Sequence, residues 1–257
     1  MDGDITRLKA CLNGKRSQAG FPAVPVTPGE LARDAAAAAA AGAEAIHLHA
    51  RGADGAESAR AADVGAAVAA VRAACPGTPV GVSTGLWITR GDAAARQAAV
   101  ADWAGLAAGA RPGFASVNVS EEGWAAVARS LGAAGIAVEA GVWSVADVHA
   151  LARGWGEAGL AQPPLRILVE VAGEPADAAP RVAGDILRAL DDSVPQLREV
   201  PRLLHGEGEG CWPLVAQAAR QGLPTRIGLE DTTAGPDGRP VSGNAELVRL
   251  ALEVLSA

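Results

Sequence analysis

Two histidines separated by one residue, His47 and His49, are the clearest chemical signal in this sequence of 257 residues. They end a short apolar segment that is typical of a β-strand, in which side chains at i and i+2 point to the same face. Two imidazoles at this spacing lie about 7 Å apart at Cβ, which suits two ligands of one metal ion. The pair therefore predicts a metal site that still needs a third ligand.

Glu230 is the best candidate for that third ligand. It ends the last predicted strand and has the parity of an inward-facing residue. Two histidines and one carboxylate suit Zn²⁺ with an open coordination position, or Fe²⁺ in an oxygenase. The sequence therefore predicts a divalent metal centre formed by His47, His49 and Glu230.

Arg226 and Asp231 flank this carboxylate in the sequence. Arg226 shares the inward parity of Glu230, and a buried arginine is costly unless it is paired. Its guanidinium group could hold a carboxylate, either that of Asp231 or that of a substrate, or it could form a structural ion pair. Asp231 follows the metal ligand at the exit of the strand, a good place for a general base, although a strand-end aspartate can also cap the next turn.

Polar residues also occur on the inward parity of most other predicted strands. Polar groups collected at the C-terminal ends of the strands are typical of a barrel active site. These residues are Asn13, Ser83, Asn118, Glu139, Glu170 and His205. For Asn118, Glu170 and His205 taken singly, a solvated position on the rim is an equal alternative.

Two features beyond the strand ends give weaker signals. The segment 206–210, Gly-Glu-Gly-Glu-Gly, follows strand seven, where barrels often bind phosphate through backbone N–H groups. Its two glutamates would repel phosphate, so a flexible rim loop is an equal alternative. Trp87, Trp143 and Trp212 lie just after strands three, five and seven, and they form either a hydrophobic wall above the site or part of the core.

The elements that must position these side chains alternate regularly along the chain. Strands are predicted over Ile5–Leu12, Ala45–His49, Val80–Ser83, Ala115–Val119, Ala137–Val142, Arg166–Val171, Pro201–His205 and Thr225–Glu230. Helices are predicted over Pro28–Ala41, Ala61–Ala74, Ala93–Ala108, Gly123–Ala134, Val145–Ala158, Ala178–Asp191, Cys211–Gln221 and Asn244–Ser256. Thr27-Pro28-Gly29-Glu30 forms a capping box that fixes the start of the first helix.

Strict alternation of strands and helices implies a parallel sheet. Eight such units in about 250 residues predict a single-domain (β/α)8 TIM barrel spanning residues 1–257. An open doubly wound sheet is the alternative, but no Gly-x-Gly-x-x-Gly fingerprint follows the first strand.

Composition excludes several classes of function. The chain has 22 Lys and Arg against 29 Asp and Glu, a net charge of −7, so it lacks the basic excess of a nucleic-acid-binding protein. Three scattered cysteines suggest no disulfide framework, and the N-terminus lacks the apolar region of a secretion signal. The alanine-rich stretch 34–45 is typical of a helix and not of a membrane span. We therefore expect a cytoplasmic protein that binds neither nucleic acid nor membrane.

The motifs resemble those of the β-keto acid cleavage enzyme family, in order and over most of the chain. The resemblance is carried by His47-Leu48-His49-Ala50-Arg51 with Gly55, by Val82-Ser83-Thr84-Gly85, and by Arg226-Ile227-Gly228-Leu229-Glu230-Asp231. Val26-Thr27-Pro28-Gly29-Glu30 and Val138-Glu139-Ala140 fit as well. The family resemblance implies a (β/α)8 barrel with a catalytic zinc ion and, as a rule, a homo-oligomer of two or four chains.

The resemblance also implies an activity. A β-keto acid and acetyl-CoA would react to give acetoacetate and a new CoA thioester, which is the work of a Claisen-type acyltransferase. His47, His49 and Glu230 would bind Zn²⁺, and Asp231, oriented by Arg226, would remove a proton next to the carbonyl. Ser83 and Glu139 would contact the substrate or intermediates.

Three departures from the family pattern leave alternatives open. The loop after strand four is short, the C-terminal segment is missing, and acidic residues Glu207 and Glu209 follow strand seven where many members have basic ones. The acidic loop motivates a zinc-dependent lyase or aldolase that works without CoA. The short loop motivates a metal-binding homologue without catalytic turnover.

Overall fold

The computed structural model is a closed barrel of eight parallel strands in the order β1 to β8, each paired with its neighbours in the sequence. It describes residues 5–157, 160, 162–193 and 195–257. The strands are β1 Leu8–Cys11, β2 Ala45–Leu48, β3 Val80–Ser83, β4 Phe114–Asn118, β5 Ala137–Val142, β6 Arg166–Val171, β7 Arg202–Gly206 and β8 Thr225–Ile227. The predicted barrel is therefore confirmed, and the open doubly wound sheet is excluded.

Helices follow the strands as an outer layer. They are α1 Pro28–Ala40, α2 Ala61–Ala74, α3 Ala93–Ala101, α4 Trp124–Ala133, α5 Val145–Glu157, α6 Ala179–Asp191, α7 Pro195–Arg198, α8 Cys211–Gln221 and α9 Asn244–Ser256. The predicted capping box is present, because the Glu30 amide donates to the Thr27 hydroxyl at 3.3 Å and the Thr27 amide donates to the Glu30 carboxylate at 2.9 Å. The Val26 amide also donates to the Glu30 carboxylate, at 3.0 Å, and the hydrogen bonds from the Thr27 and Val26 amides lower the pKa of Glu30 to about 2.

The main core lies between the strands and this helical layer. The outward-facing strand residues, such as Ile46, Leu48, Val80 and Val82, are buried against helix side chains. Burial of each such side chain contributes about 1.5–3 kcal/mol. Within the described part of the chain, no helix combines the length and apolar character needed to cross a bilayer.

A second packing region fills the barrel interior below its centre. Buried side chains from four strands and the preceding segment meet there: Ile5, Ala45, Phe114, Leu168 and Leu203. The barrel is thus closed from below by apolar packing, which leaves its C-terminal end as the open side, as the fold class predicts.

The eighth strand differs most from the sequence-based prediction. It ends at Ile227, so Glu230 and Asp231 lie in a turn in which the Asp231 amide donates to the Gly228 carbonyl at 2.8 Å. Any Cβ at Gly228 would come within 1.8 Å of the Cys11 carbonyl oxygen, so only glycine permits this approach to β1. The buried Asn244 side chain accepts the Leu229 amide at 2.7 Å in place of a strand partner.

Other boundaries differ by smaller amounts. Strand β1 begins at Leu8 and not at Ile5, and the predicted helix Ala93–Ala108 ends at Ala101 and continues as a 3₁₀ turn over Asp102–Gly105. The short helix α7 was not predicted. Helix α5 agrees with the prediction through Glu157, and Ala158, its predicted end, lies outside the described residues.

Candidate active site

His47, His49 and Glu230 meet at the C-terminal end of the barrel. The Glu230 Oε2 atom lies 3.8 Å from His47 Nε2 and 3.5 Å from His49 Nε2, and both histidines are buried. One ligand atom from each of the three residues lies within 4.8 Å of the others. The structure therefore brings together the three residues that the sequence predicted as metal ligands.

The donor set fits a divalent cation. Glu230 Oε2 is buried and has no hydrogen-bond partner among the described residues, although it points between two imidazole nitrogens. Burial raises the pKa of Glu230, but the charges of Arg226 and His49 outweigh it and hold that pKa well below its ordinary value. An ionised, unpartnered carboxylate oxygen beside two imidazoles is the ligand geometry that Zn²⁺ accepts.

The pKa values of the two histidines are shifted in opposite directions. Burial lowers the pKa of His47 well below its ordinary value, so its imidazole is neutral. Burial also lowers the pKa of His49, but the carboxylates of Glu230 and Glu57 outweigh burial and raise that pKa to about 9. Since a metal ligand must be a neutral imidazole, metal binding would release a proton from His49.

Two residues that follow β1, Asn13 and Gly14, contact the segments that carry the ligands. The Asn13 side chain donates to the His49 carbonyl at 2.9 Å and to the Pro25 carbonyl at 3.1 Å, and it accepts the His49 amide at 2.9 Å. Asn13 is therefore buried, joins the segments of Pro25 and His49 by hydrogen bonds, and is not one of the residues that line the cavity. Gly14 has φ +51°, and a Cβ there would lie 2.5 Å from Glu230 Cγ, so glycine leaves room for the ligand.

Arg226 and Asp231 form a buried pair beside Glu230. Arg226 donates through Nε at 3.1 Å and through Nη2 at 2.7 Å to one oxygen, Asp231 Oδ1, and its Nη2 lies 2.9 Å from Glu230 Oε1. The second oxygen, Asp231 Oδ2, is buried and has no hydrogen-bond partner within the part of the chain that the structure describes. Burial raises the pKa of Asp231 to about 7, with the Glu230 charge adding to this effect and the Arg226 charge opposing it.

A cavity of about 380 Å³ opens above these residues. Ser83 lines it, and so do Trp87 and Trp143, whose side chains are 42% and 43% exposed at its mouth. Trp212 does not take part, because it packs on the core and donates to the Ala234 carbonyl at 2.8 Å. The remaining lining residues are Gly14, Lys15, His47, His49, Ser116, Asn118, Glu170, Glu207, Arg226 and Glu230.

Glu139 is the predicted site residue that the structure separates from the others. It is fully buried, with both oxygens 2.7–2.8 Å from Lys9 Nζ and one oxygen 3.1 Å from Arg166 Nε. Lys9 and Arg166 also lie over the Phe114 ring, at 5.6 and 5.9 Å from its centre. Glu139 does not line the cavity, so its predicted contact with substrate has no support in this geometry.

Glu170 and His205 face each other on the far side of the cavity. Their closest atoms, Glu170 Oε2 and His205 Nε2, are 3.6 Å apart. Burial and the Arg226 charge lower the pKa of His205 to about 4, so it is neutral near pH 7. Asn118 also reaches this region and donates to Glu121 at 3.0 Å, which links β4 to the next loop.

Sequence reasoning missed three groups near the site. Glu57 contacts His49, Lys9 pairs with Glu139, and Glu121 pairs with the buried Arg96 and accepts the Leu86 amide at 3.0 Å. A lysine within the apolar first strand was a usable signal for Lys9. Glu57 lies in a loop without periodicity, so no sequence signal pointed to it.

The glycine-rich segment after β7 lies next to Asp231. The Gly208 amide donates to the Asp231 carbonyl at 2.8 Å, and Glu207 lies 3.5 Å from Lys15. A neighbouring cavity of about 560 Å³ is lined by Glu174, Glu207 and Glu209 together with Lys15. This side of the cavity mouth is therefore acidic, as the sequence indicates. The phosphate-binding role of the segment 206–210 stays a prediction.

A family model described as "beta-keto acid cleavage enzyme" matches residues 6–257. The chain belongs to the β-keto acid cleavage enzyme family. Its motifs at His47, His49 and Glu230 lie within that match and meet at one point in the fold. No curated protein sequence matches the chain significantly.

Solved structures of low sequence identity share the fold. ObcA in ternary complex with a C4-CoA adduct and oxalate has a TM-score of 0.70 and 20% identity, over 91% of this chain and 64% of that one. ObcA with oxaloacetate has a TM-score of 0.67 and 21% identity, over 90% and 63%. The carboxyl transferase domain of Rhizobium etli pyruvate carboxylase has a TM-score of 0.61 and 14% identity, over 98% and 46%. The chain spans about three-fifths of the length of the ObcA structures.

Proposed function

We propose that this protein is a zinc-dependent β-keto acid cleavage enzyme that uses acetyl-CoA as its second substrate. The acyl group R–CO of a β-keto acid R–CO–CH₂–COO⁻ would pass to CoA, and the remaining CH₂–COO⁻ unit would join the acetyl group as acetoacetate. The observation that carries the proposal is Glu230 Oε2, which lies between the Nε2 atoms of His47 and His49 and has no hydrogen-bond partner in the described parts of the chain. Membership of the family supports the same reaction.

His47, His49 and Glu230 would hold the metal at the base of the cavity. A bound Zn²⁺ ion supplies Lewis acidity, which polarises a carbonyl group and stabilises the negative charge that develops on its oxygen. Ser83 lines the same cavity, and its hydroxyl oxygen already accepts the Gly85 amide at 3.2 Å. The Ser83 hydroxyl proton therefore remains free to donate to a substrate oxygen.

Asp231 would act as the general base, and Arg226 would orient it. Both Arg226 donors bind Oδ1, which leaves Oδ2 as the atom that can accept a proton. The pKa of about 7 places this carboxylate near the value that suits a base at neutral pH. Asp231 is fully buried behind Arg226, so proton transfer requires a shift of the turn or of the Arg226 side chain.

Acetyl-CoA as co-substrate is supported by the ObcA complex that holds a C4-CoA adduct. ObcA also binds oxaloacetate, which supports a keto acid as the other substrate of this chain. We further propose a homo-oligomer of two or four chains, on the family resemblance alone, and a cytoplasmic location, because the three cysteines are free. Size-exclusion chromatography with light scattering measures the oligomeric state.

The deciding experiment incubates purified, zinc-loaded protein with a panel of β-keto acids, with and without acetyl-CoA. We expect acetoacetate and a new acyl-CoA to appear together, in equal amounts and only with acetyl-CoA. Glu209→Gln, a charge change at the mouth away from the metal ligands, is the matched control for the His47→Ala variant. Turnover that His47→Ala retains in full would contradict the proposal.

A second candidate function is a zinc-dependent carbon–carbon lyase that works without CoA. The observation that favours it is the acidic cavity formed by Glu174, Glu207 and Glu209, because carboxylates repel the phosphates of CoA. In the same panel, cleavage of a keto acid in the absence of acetyl-CoA would select this function. Metal binding without any turnover would select a non-catalytic homologue.

A further inference from the structure

The two histidine ligands differ in what their other ring nitrogen contacts. His49 Nδ1 lies 2.5 Å from Glu57 Oε1, whereas His47 Nδ1 is buried and has no hydrogen-bond partner in the described part of the chain. Glu57 is eight residues beyond His49 and belongs to no regular element. One ligand of the proposed metal site therefore has a carboxylate behind it and the other does not.

The loop that carries Glu57 is built so that it returns to the histidine. Gly52 and Ala56 close a turn through a hydrogen bond of 2.8 Å, and Arg51 and Glu57 face each other across an antiparallel bridge. The Arg51 guanidinium group fixes the base of this loop by donating to the carbonyls of Gly14 and Arg16. The contact between Glu57 and His49 is thus held by backbone pairing.

Trp87 holds the same carboxylate from the other side. Its indole nitrogen lies 3.1 Å from each Glu57 oxygen, and its ring stacks on the His49 ring at 6.2 Å with an angle of 23°. The Glu57 side chain is largely buried as a result. Burial of a charged carboxylate is costly unless it is paired, and His49 and Trp87 are the partners that offset this cost for Glu57.

We propose that Glu57 is a positioning residue for the metal ligand His49. Glu57 accepts a hydrogen bond from His49 Nδ1–H, which fixes the tautomer that leaves the Nε2 lone pair for the metal, and its negative charge makes Nε2 a stronger ligand. Trp87 keeps the Glu57 carboxylate in place and limits rotation of the His49 ring. This inference rests on the proposed metal centre.

The test is a zinc titration of metal-free protein against a competing chromophoric chelator. Glu57→Gln removes the charge and is nearly isosteric, and we expect it to bind zinc about 10- to 100-fold more weakly than the wild type. Glu207→Gln is the matched control, because it removes the same charge from the lining of the cavity above the metal site, at a residue that contacts Lys15 and not a histidine ligand. We expect its zinc affinity to stay within about 2-fold of the wild type, far below the loss expected for a lost carboxylate–histidine contact.

A second variant and a second readout keep the test independent of folding. Trp87→Phe preserves ring stacking but removes the N–H donor, and we expect a smaller loss of zinc affinity than in Glu57→Gln. Nitrogen–proton correlation spectra of the zinc-loaded wild type should show the His49 proton on Nδ1, shifted downfield by the carboxylate. That downfield shift should be lost in Glu57→Gln.

Two results overturn the inference, and they are distinguishable. If the wild type binds zinc and Glu57→Gln binds it equally well, the role of Glu57 is wrong while the metal centre stands. If the wild type binds no zinc, the metal centre itself is wrong, and the positioning role is lost with it.

Discussion

Two clusters of charged side chains lie in the barrel, and they differ in whether their polar atoms have partners. The lower one is formed by Lys9, Glu139 and Arg166, and the upper one includes the proposed metal ligands with Arg226 and Asp231. In the lower one, both oxygens of Glu139 are matched by the cations of Lys9 and Arg166. In the upper one, three buried atoms have no hydrogen-bond partner in the described residues: Glu230 Oε2, Asp231 Oδ2 and His47 Nδ1. Buried polar groups are normally satisfied, so unsatisfied ones call for an explanation such as a ligand. The geometry therefore favours a structural ion cluster for the lower one and the proposed metal site for the upper one.

The largest expected effect comes from removing the proposed base in the upper cluster. Asp231→Asn preserves shape and an acceptor for Arg226 but cannot take a proton. We expect kcat to fall about 10²- to 10⁴-fold while bound zinc stays at the wild-type level. Steady-state kinetics and metal analysis of the same sample measure both. Wild-type kcat, or loss of the zinc, would remove Asp231 from its role.

Disruption of the lower cluster should give the opposite pattern. Glu139→Gln leaves the Lys9 and Arg166 cations without a counter-charge, and breaking a buried pair in this way costs about 3–5 kcal/mol. We expect a lower free energy of unfolding in a denaturant titration, with zinc affinity unchanged. A stable variant with altered KM would instead return Glu139 to the substrate-contacting role suggested by the family resemblance.

Arg226→Lys sharpens the comparison within the upper cluster. Lysine cannot reproduce the two donors that Arg226 directs to Asp231 Oδ1. If Arg226 orients the base, kcat should fall about 10-fold while KM holds, whereas a substrate clamp predicts mainly a higher KM. A thermal melt is the control, because a much lower melting temperature with normal turnover would make Arg226 a structural ion-pair partner.

Asp34 provides a third case, a mostly buried carboxylate that has an amide donor and, among the described residues, no cationic partner. It accepts from Asn244, which also holds the Leu229 amide just before Glu230, and burial raises the pKa of Asp34 to about 6. A raised carboxyl pKa destabilises the folded state as pH rises from about 4 to 6, and the cost persists above that range. Asp34→Asn should therefore stabilise the fold by about 1–2 kcal/mol at pH 7.5.

That stabilisation should shrink when the same denaturant titrations are made at pH 5. Both proteins keep an acceptor for Asn244, so the difference between the two pH values isolates the charge. An Asp34→Asn gain that is equal at both pH values would rule out the titration of Asp34 as its source.

The sequence predicted the barrel and the metal ligands for identifiable physical reasons. Strict alternation of elements dictates a parallel sheet, and strand parity places His47 and His49 on one face. The parity argument worked less directly for Glu230 and Asp231, because β8 ends at Ile227 and a turn fixed by Gly228 and Asn244 carries both residues. That turn depends on a contact with β1, which no local pattern reveals.

The remaining residues could not be predicted, because their roles come from contacts distant in sequence. Glu139 has the inward parity of a site residue, but Lys9 lies 130 positions away and takes it into the structural ion cluster. Glu57 reaches His49 through loop geometry alone. Parity shows which way a side chain points, and only the fold shows what it meets there.

The central claim, that the upper cluster is a metal site, is tested most directly by the metal content of purified protein. Elemental analysis after growth with zinc should find one zinc ion per chain in the wild type and in Glu139→Gln. The double variant His47→Ala with His49→Ala should contain almost none. A stoichiometric amount of zinc in that double variant, or none in the wild type, would contradict the account.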